Sequence, residues 1–123
     1  MNGHKILVDT NILLYLINGN KKVSQILQGR EVYVSFITEL ELLSYSELTA
    51  KQEMIIQSLL ADCKIIGYSE WIKVHTIEIR KNNKMKLPDC MILATAKLLD
   101  IPLLTADKRV TKSKVGSILL FEE

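Results

Sequence analysis

The sequence has 123 residues, of which 48% are hydrophobic and 24% are charged, as in an ordinary globular domain rather than a disordered chain. This length suits one hydrophobic core, so we predict a single domain over residues 1–123. The formal net charge of +2 favours an anionic partner only weakly, and the longest apolar run, residues 12–17, is much shorter than a membrane span. Asp9 and Asn11 interrupt the segment where a signal peptide would be apolar, so we expect a cytoplasmic protein that does not bind membranes.

Short apolar runs alternate with helix-like segments along the chain. Residues 6–8 (ILV) predict a first and central strand that is buried on both faces, and residues 12–17 predict a helix that packs back onto it. Strands that alternate with helices in this way form parallel sheets. We therefore predict an α/β fold, a three-layer α/β/α sandwich around a mostly parallel sheet of four or five strands. The later strands are predicted at residues 32–34, 64–66, 103–105 and 118–121, and the later helices at residues 21–28, after Ser35 or Thr38, from Thr49 to Leu60, after Ser69 and from Leu87.

The apolar residues also predict which side chains are buried and which are exposed. In the helix after the second strand, the spacing of Ile37, Leu40 and Leu43 predicts the inward-facing stripe. Some apolar residues are expected on the surface, where they suit a protein partner; these are Ile12, Tyr15, Leu42 and Tyr45.

Acidic residues stand at places where parallel α/β sheets bind ligands. Asp9 directly follows the first strand and Asp107 follows the fourth, so both are expected at the carboxyl edge of the sheet. Asp89 lies in the first turn of a helix that opens with Leu-Pro, where an acid also stabilises the helix N-terminus. The helix after the second strand carries Glu39 and Glu41, which project about 200° apart, and the helical period does not choose between them. Each acid taken singly is typical of a turn, a cap or a solvent-exposed position.

Four segments, taken together and in order, resemble the motifs of PIN-domain nucleases, particularly the small VapC-type toxins of prokaryotic toxin–antitoxin pairs. Residues 8–13 (VDTNIL) are similar to the opening motif of the family, and residues 38–42 (TELEL) to its Thr-x-x-Glu-Leu pattern, which assigns the functional acid to Glu41. Residues 87–96 (LPDCMILATA) resemble the Pro-Asp helix motif, and residues 103–107 (LLTAD) the last acidic motif, which is Asp or Asn in the family. The resemblance implies that the catalytic residues and metal ligands are Asp9, Glu41, Asp89 and Asp107, with Thr10, Asn11 and Thr105 as supporting polar residues.

The resemblance implies a metal-dependent reaction on RNA. Clustered carboxylates stay ionised only beside a cation, and their hard oxygens suit Mg²⁺ or Mn²⁺. Such an ion lowers the pKa of a bound water and stabilises the departing oxygen of a phosphodiester, so no catalytic His or Ser is required. In the family, the toxin is neutralised by a cognate antitoxin and commonly forms a homodimer. We therefore expect a Mg²⁺- or Mn²⁺-dependent endoribonuclease that acts on an RNA substrate, binds an antitoxin and dimerises.

Basic residues flank the last two acidic motifs. Lys84 and Lys86 precede Asp89, and Lys108 and Arg109 follow the last motif directly. Cationic flanks let a polyanion approach carboxylates with less repulsion, so these four basic residues are predicted to bind RNA. The same pattern is also typical of a solvated helix end and a solvated loop.

Other functions fit parts of the same sequence. A PIN-like RNA-processing or RNA-decay nuclease would share the whole acidic site but lack an antitoxin, and the neighbouring genes would distinguish it. A non-catalytic module that binds RNA or a partner would not need all four acids. A phosphoacceptor receiver domain is disfavoured because it needs an acidic pair after the first strand and an Asp after the third, where this chain has Gly67.

Overall fold

The computed structural model describes residues 4–123, and this part of the chain forms five strands and seven helices. The strands are β1 (Lys5–Val8), β2 (Glu31–Ser35), β3 (Lys64–Ile66), β4 (Leu103–Thr105) and β5 (Ile118–Leu120). The helices are α1 (Thr10–Ile17), α2 (Lys21–Leu27), α3 (Phe36–Leu43), α4 (Ala50–Ala61), α5 (Glu70–Asn82), α6 (Leu87–Leu99) and α7 (Lys108–Thr111). All strand pairs are parallel, in the order β3-β2-β1-β4-β5. The predicted parallel sheet, with the first strand at its centre, is confirmed.

The centre of the sheet is β1 because its side chains are apolar on both faces. Ile6, Leu7 and Val8 are fully buried. Leu7 packs in a hydrophobic cluster with residues of α5 and α6, such as Ile72 and Leu93. Ile6 and Val8 belong to a second cluster that contains residues of α1, α2, α3 and α4. Helices therefore cover both faces of the sheet, and the three-layer α/β/α sandwich is confirmed.

Polar residues begin the helices at the points where the sequence places them. The Ile37 N–H donates a hydrogen bond to Ser35 Oγ (3.2 Å), so α3 begins after Ser35 rather than Thr38. Thr49 and Gln52 form a reciprocal capping box at the start of α4. The short helix α7 is not predicted by the sequence pattern, because four residues are too few to show a helical period.

The inward-facing side chains of two helices differ from the sequence expectation. In α3 the buried residues are Thr38 and Leu42, whereas Leu40 is 54% exposed, so the predicted stripe through Leu40 is wrong. Ile12 and Leu42 are fully buried, which corrects the expectation that they lie on the surface. The cause is the rotation of α1 and α3 about their axes, which tertiary packing decides and a short apolar block does not encode.

The parallel sheet determines where the acidic motifs meet. All five strands end at the same edge, and the central pair β1 and β4 is in register, with Val8 beside Leu104. Asp9 directly follows β1 and Asp107 lies two residues beyond β4, so both are positioned at this edge. Among residues 4–123, no helix combines the length and the apolar character that a membrane crossing needs.

Candidate active site at the carboxyl edge of the sheet

A pocket of about 200 Å³ lies at the carboxyl edge of the sheet, and four acidic side chains line it. We call it the carboxylate pocket. Its acids come from four separate segments: the end of β1, the third helix, the first turn of α6 and the loop after β4. Glu41 lines this pocket and Glu39 does not. The full lining is Asp9, Thr10, Asn11, Glu41, Tyr45, Lys86, Pro88, Asp89, Ile92, Asp107 and Arg109.

Asp9 is the most deeply buried acid of the pocket, with 7% of its surface exposed. Its Oδ1 accepts a hydrogen bond from the Ile12 N–H (3.0 Å) and caps α1, and its Oδ2 accepts one from Thr105 Oγ1 (2.5 Å). Burial raises the pKa of Asp9 because it penalises the charged form, and the negative charges of Asp89 and Asp107 add to this effect. The hydrogen bonds from Thr105 and Ile12 oppose the rise in pKa without cancelling it. The protein thus holds Asp9 in one orientation through neutral donors, and no basic side chain within residues 4–123 forms an ion pair with it.

Glu41 is oriented by a threonine of the first acidic motif. Thr10 Oγ1 donates a hydrogen bond to Glu41 Oε1 (2.6 Å) and lies 3.0 Å from the fully buried Thr38 Oγ1. These contacts join the beginning of α1 to α3 across the pocket. Thr10 therefore orients an acid of the pocket, while its supporting role in the reaction stays a prediction, and Thr38 is an additional polar contact that the sequence pattern does not single out.

Asp89 faces the other acids from the first turn of α6. Burial raises the pKa of Asp89, and the charges of Asp107 and Glu41 raise it further. The nearby cations of Arg109 and Lys86 act in the opposite direction but leave the pKa above its ordinary value. The pocket therefore brings acids close enough for their charges to repel one another.

Asp107 differs from the other acids because a cation of the same chain binds it. Arg109 Nη2 lies 2.9 Å from Asp107 Oδ2, and Arg109 Nε lies 3.2 Å from Oδ1. The Arg109 backbone N–H also donates to Oδ1 (2.9 Å) and opens α7. The hydrogen bonds from Arg109 hold the pKa of Asp107 below its usual range. The sequence pattern does not predict this pairing, because the four residues of α7 are too few to show that a helix begins at Asp107.

Thr105 connects the two strand-end acids. Its hydroxyl donates to Asp9 Oδ2 and also accepts a hydrogen bond from the Asp107 backbone N–H (3.1 Å). The side chain is fully buried between β1 and the loop after β4. Thr105 therefore fixes the positions of Asp9 and Asp107 relative to each other.

The acids suit a divalent cation by their chemistry, although they are engaged with protein donors in this arrangement. Within residues 4–123, no three His, Cys, Asp or Glu side chains converge as a ready set of metal ligands. Three side chains donate hydrogen bonds to the carboxylates of the pocket: Thr105 to Asp9, Thr10 to Glu41 and Arg109 to Asp107. Mutually repelling, hard oxygen ligands nevertheless match what Mg²⁺ or Mn²⁺ requires.

Two further cavities adjoin the carboxylate pocket on either side. A basic cleft of about 660 Å³ is lined by residues 80–86 and Arg109, and it shares Lys86 and Arg109 with the carboxylate pocket. On the other side, a cavity of about 520 Å³ shares Asn11 and Asp107 with it. Of the predicted RNA-binding residues, Lys84, Lys86 and Arg109 thus lie along the basic cleft, whereas Lys108 lines the opposite cavity.

Comparisons with known proteins identify a family model and solved structures that are similar to this chain. Residues 6–115 match a family model described as the PIN domain. No curated protein sequence matches this chain. A toxin-antitoxin complex from Klebsiella pneumoniae contains a chain that is 30% identical, with a TM-score of 0.83 over 96% of this chain and 99% of that chain.

Structures of lower identity share the fold. FitAcB from Neisseria gonorrhoeae is 24% identical, with a TM-score of 0.78 over 93% of this chain and 96% of that chain. VapBC2 from Rickettsia felis, bound to a DNA fragment from its promoter, is 19% identical, with a TM-score of 0.80 over 96% and 99% of the two chains.

Proposed function

Because this chain belongs to the PIN domain family, we propose that it is a metal-dependent endoribonuclease and the toxin of a toxin–antitoxin pair. The proposed catalytic residues and metal ligands are Asp9, Glu41, Asp89 and Asp107, and the proposed cofactor is Mg²⁺ or Mn²⁺. The observation that carries the proposal is the convergence of four acids, from four separate segments, in one pocket where burial and the charges of neighbouring acids raise the pKa of Asp9 and of Asp89. Such an arrangement costs folding free energy, which a bound cation would offset.

The chain's own side chains would position the reaction. Thr105 and the Ile12 N–H fix the two oxygens of Asp9, and Thr10 fixes one oxygen of Glu41. A divalent ion held there would supply a water of lowered pKa and positive charge for a phosphodiester. Glu41 lines the pocket and would orient that water by a hydrogen bond, and the guanidinium of Arg109 would bind a phosphate oxygen in place of Asp107.

RNA is the proposed substrate because cations line the approach to the acids. The basic cleft carries Arg80, Lys81, Lys84 and Lys86, and it opens into the carboxylate pocket at Lys86 and Arg109. A polyanion can therefore follow positive charge until one phosphate reaches the acids. We propose that Lys84, Lys86, Lys108 and Arg109 contact the RNA backbone.

The proposed protein partner is a cognate antitoxin. The toxin–antitoxin assembly of the Klebsiella pneumoniae relative supports this role. An apolar groove beside the carboxylate pocket supports it too: the groove is lined by Leu14, Ile17, Leu48 and Ile55 and shares Tyr45, which is 49% exposed, with that pocket. An amphipathic segment laid in this groove would also cover the acids. The homodimer that the resemblance implies stays a prediction, which light scattering of the purified protein would test.

The experiment that tests the function is cleavage of total cellular RNA by the purified protein with Mg²⁺ or Mn²⁺. We expect discrete cuts that disappear with a chelator and in Asp9→Asn. Glu39→Gln is the matched control, since Glu39 is an acid of the same helix as Glu41 that does not line the pocket. Cuts that persist in Asp9→Asn, or that do not need metal, would contradict the proposal. Cleavage by a protein whose neighbouring gene product does not bind it would favour an RNA-processing nuclease instead.

A further inference from the structure

We propose that the cavity beside the carboxylate pocket, on the side away from the basic cleft, is a nucleobase-binding site that selects the nucleotide next to the cut phosphate. We call it the amide pocket, because Asn11 and Asn18 lie at its two ends along α1. This inference rests on the proposed ribonuclease function and adds the feature of the substrate that the same site would recognise.

The amide pocket is built on one face of a helix. Asn11, Leu14, Tyr15 and Asn18 line it at helical positions i, i+3, i+4 and i+7, and Asp107 and Lys108 close it from the opposite side. Its volume of about 520 Å³ falls within the range of roughly 300–1,000 Å³ that is usual for small-ligand sites. Asn11 and Asp107 also line the carboxylate pocket, so a ligand in one cavity is adjacent to a ligand in the other.

The two amides of this pocket are the asparagine side chains that the fold leaves unused. Within residues 4–123, neither Asn11 nor Asn18 makes a side-chain hydrogen bond, and Asn18 ends α1 through its backbone N–H alone. The other described asparagines all use their side chains: Asn20 caps α2, whereas Asn82 and Asn83 donate to carbonyl oxygens of α5. A side-chain amide has two donors and an acceptor, which match the hydrogen-bonding edge of a base. Both side chains are solvent-exposed, so their donors and acceptors are available to a polar, planar ligand.

An aromatic ring lies between these amides and is held in place from behind. Tyr15 packs against Phe121 with ring centroids 5.2 Å apart and an angle of 59° between the ring planes. Phe121 is buried, so the contact anchors Tyr15 to the core. Specific binding of single-stranded RNA depends on unstacked bases that stack on aromatic rings while side chains bond their edges. The amide pocket offers an aromatic ring and edge-binding groups within about two turns of a helix.

The carboxylate pocket and the basic cleft favour RNA as the occupant, although Leu14 and Asn18 of the amide pocket also line the apolar groove proposed for the antitoxin. The basic cleft, the carboxylate pocket and the amide pocket follow one another, linked by Lys86 and Arg109 on one side and by Asn11 and Asp107 on the other. A strand whose phosphate meets the acids therefore extends into cationic surroundings in one direction and into the amide pocket in the other. Lys108 at the amide pocket also suits the next phosphate of that strand.

The test compares cleavage of a randomised RNA library by the wild type, Asn18→Asp and Tyr15→Phe, with Gln25→Ala as the control. Asn18→Asp keeps the shape but replaces donors with acceptors, and Tyr15→Phe keeps the packing on Phe121. Gln25 is an exposed amide of the neighbouring α2 that lines none of the three cavities. We expect Asn18→Asp to change the base preferred at one position beside the cut and to slow cleavage of the original preferred sequence about 10-fold. Tyr15→Phe and Gln25→Ala should keep the preference.

A binding measurement separates failure of this inference from failure of the proposed function. Short RNAs that differ at one base, or lack that base, are titrated against Asp9→Asn protein with and without Asn18→Asp. Base discrimination of about 10-fold that Asn18→Asp removes would support the amide pocket even if the wild type cuts no RNA. Unchanged base preference in Asn18→Asp, in both cleavage and binding, would overturn the inference. Loss of antitoxin binding with unchanged base preference would also overturn it and assign the cavity to the protein partner.

Discussion

Asp9 and Asp107 occupy equivalent places at the ends of the neighbouring strands β1 and β4, yet their environments are opposite. Asp9 is 7% exposed, forms no ion pair with a basic side chain of the described part of the chain, and burial raises its pKa. The side chain of Asp107 is 21% exposed and is paired with Arg109, which lowers its pKa. Both residues contact the same hydroxyl: Thr105 Oγ1 donates a hydrogen bond to the Asp9 carboxylate and accepts one from the Asp107 backbone N–H. The fold therefore brings the acids together at one edge of the sheet. The residues that contact each acid determine whether its charge is already offset or requires a bound metal ion.

The difference between their environments predicts unequal contributions of Asp9 and Asp107 to metal binding. A buried carboxylate that is oriented by neutral donors is a pre-arranged ligand whose charge is not offset. A carboxylate that is paired with arginine has its charge offset already, and an ion must compete with that arginine. We therefore expect Asp9 to dominate metal binding and Asp107 to contribute less.

The largest expected effect is on cleavage. Asp9→Asn keeps the helix cap, because asparagine caps as well as aspartate, but it removes the ligand charge. We expect the rate of RNA cleavage to fall at least about 100-fold, against a fall of about 10-fold for Asp107→Asn. Rates are measured on a mapped RNA substrate at saturating Mg²⁺. Equal losses for the two variants would remove the distinction between the acids.

Thr105→Val tests whether the shared hydroxyl matters to both acids. Valine has a similar shape but neither donates to Asp9 nor accepts from the Asp107 N–H. We expect cleavage to fall about 10- to 100-fold, as is usual when the partner of a metal ligand is lost. Without the hydrogen bond that opposes the rise, the pKa of Asp9 should rise further, so the loss of activity toward acid should begin at a higher pH. Thr105→Ser is the control, and its pH profile should match that of the wild type.

In the metal-free protein, Asp9→Asn and Asp107→Asn should change the free energy of unfolding in opposite directions. The folded state raises the pKa of Asp9 above the unfolded value, so the native state binds more protons and stability falls as pH rises through that window. For Asp107, whose pKa is lowered, stability is present above the unfolded pKa and is lost as pH falls. In chelator at pH 7 we expect Asp9→Asn to raise the free energy of unfolding by about 1 kcal/mol, or about 4 °C in Tm, and Asp107→Asn to lower it by about 0.5 kcal/mol. Thermal unfolding of both variants at pH 7 and pH 4 checks the signs, and a less stable Asp9→Asn protein at pH 7 would contradict them.

The smallest expected effect concerns the basic cleft. Lys84→Ala should weaken RNA binding about equally for all sequences and lower the slope of log K against log salt by about 1. Binding is followed by fluorescence anisotropy in the Asp9→Asn background, so that cleavage does not interfere. Lys51→Ala, on the exposed surface of α4, is the matched control. An equal change of this slope in Lys84→Ala and Lys51→Ala would contradict a direct contact between Lys84 and the RNA backbone.

Local sequence patterns predict the elements and the acids but not the contacts between them. The apolar run at residues 6–8, the capping pair Thr49 and Gln52, and the Pro-Asp start of α6 each carry their own signal within a few residues, and each forms as expected. The pairing of Asp107 with Arg109 requires the side chains to meet at the start of a helix too short to be recognised.

Tertiary packing explains what sequence reasoning left open or got wrong. The periodicity of α3 did not distinguish Glu39 from Glu41, because the two flank Leu40 almost symmetrically. The rotation of that helix, with Leu42 buried and Leu40 exposed, turns Glu41 into the carboxylate pocket. Packing against α1 and the sheet sets this rotation, so it became visible only when the whole chain was folded.

The central claim is that the four acids form a cation site whose principal ligand is Asp9. The most direct measurement is Mn²⁺ binding to RNA-free protein, followed by the electron paramagnetic resonance signal of free Mn²⁺. We expect the wild type and Glu39→Gln to bind alike, Asp9→Asn and Asp89→Asn to bind at least about 10-fold more weakly, and Asp107→Asn to fall between them. Equal Mn²⁺ binding by all five proteins would contradict the account, because the carboxylate pocket would then not be the metal site.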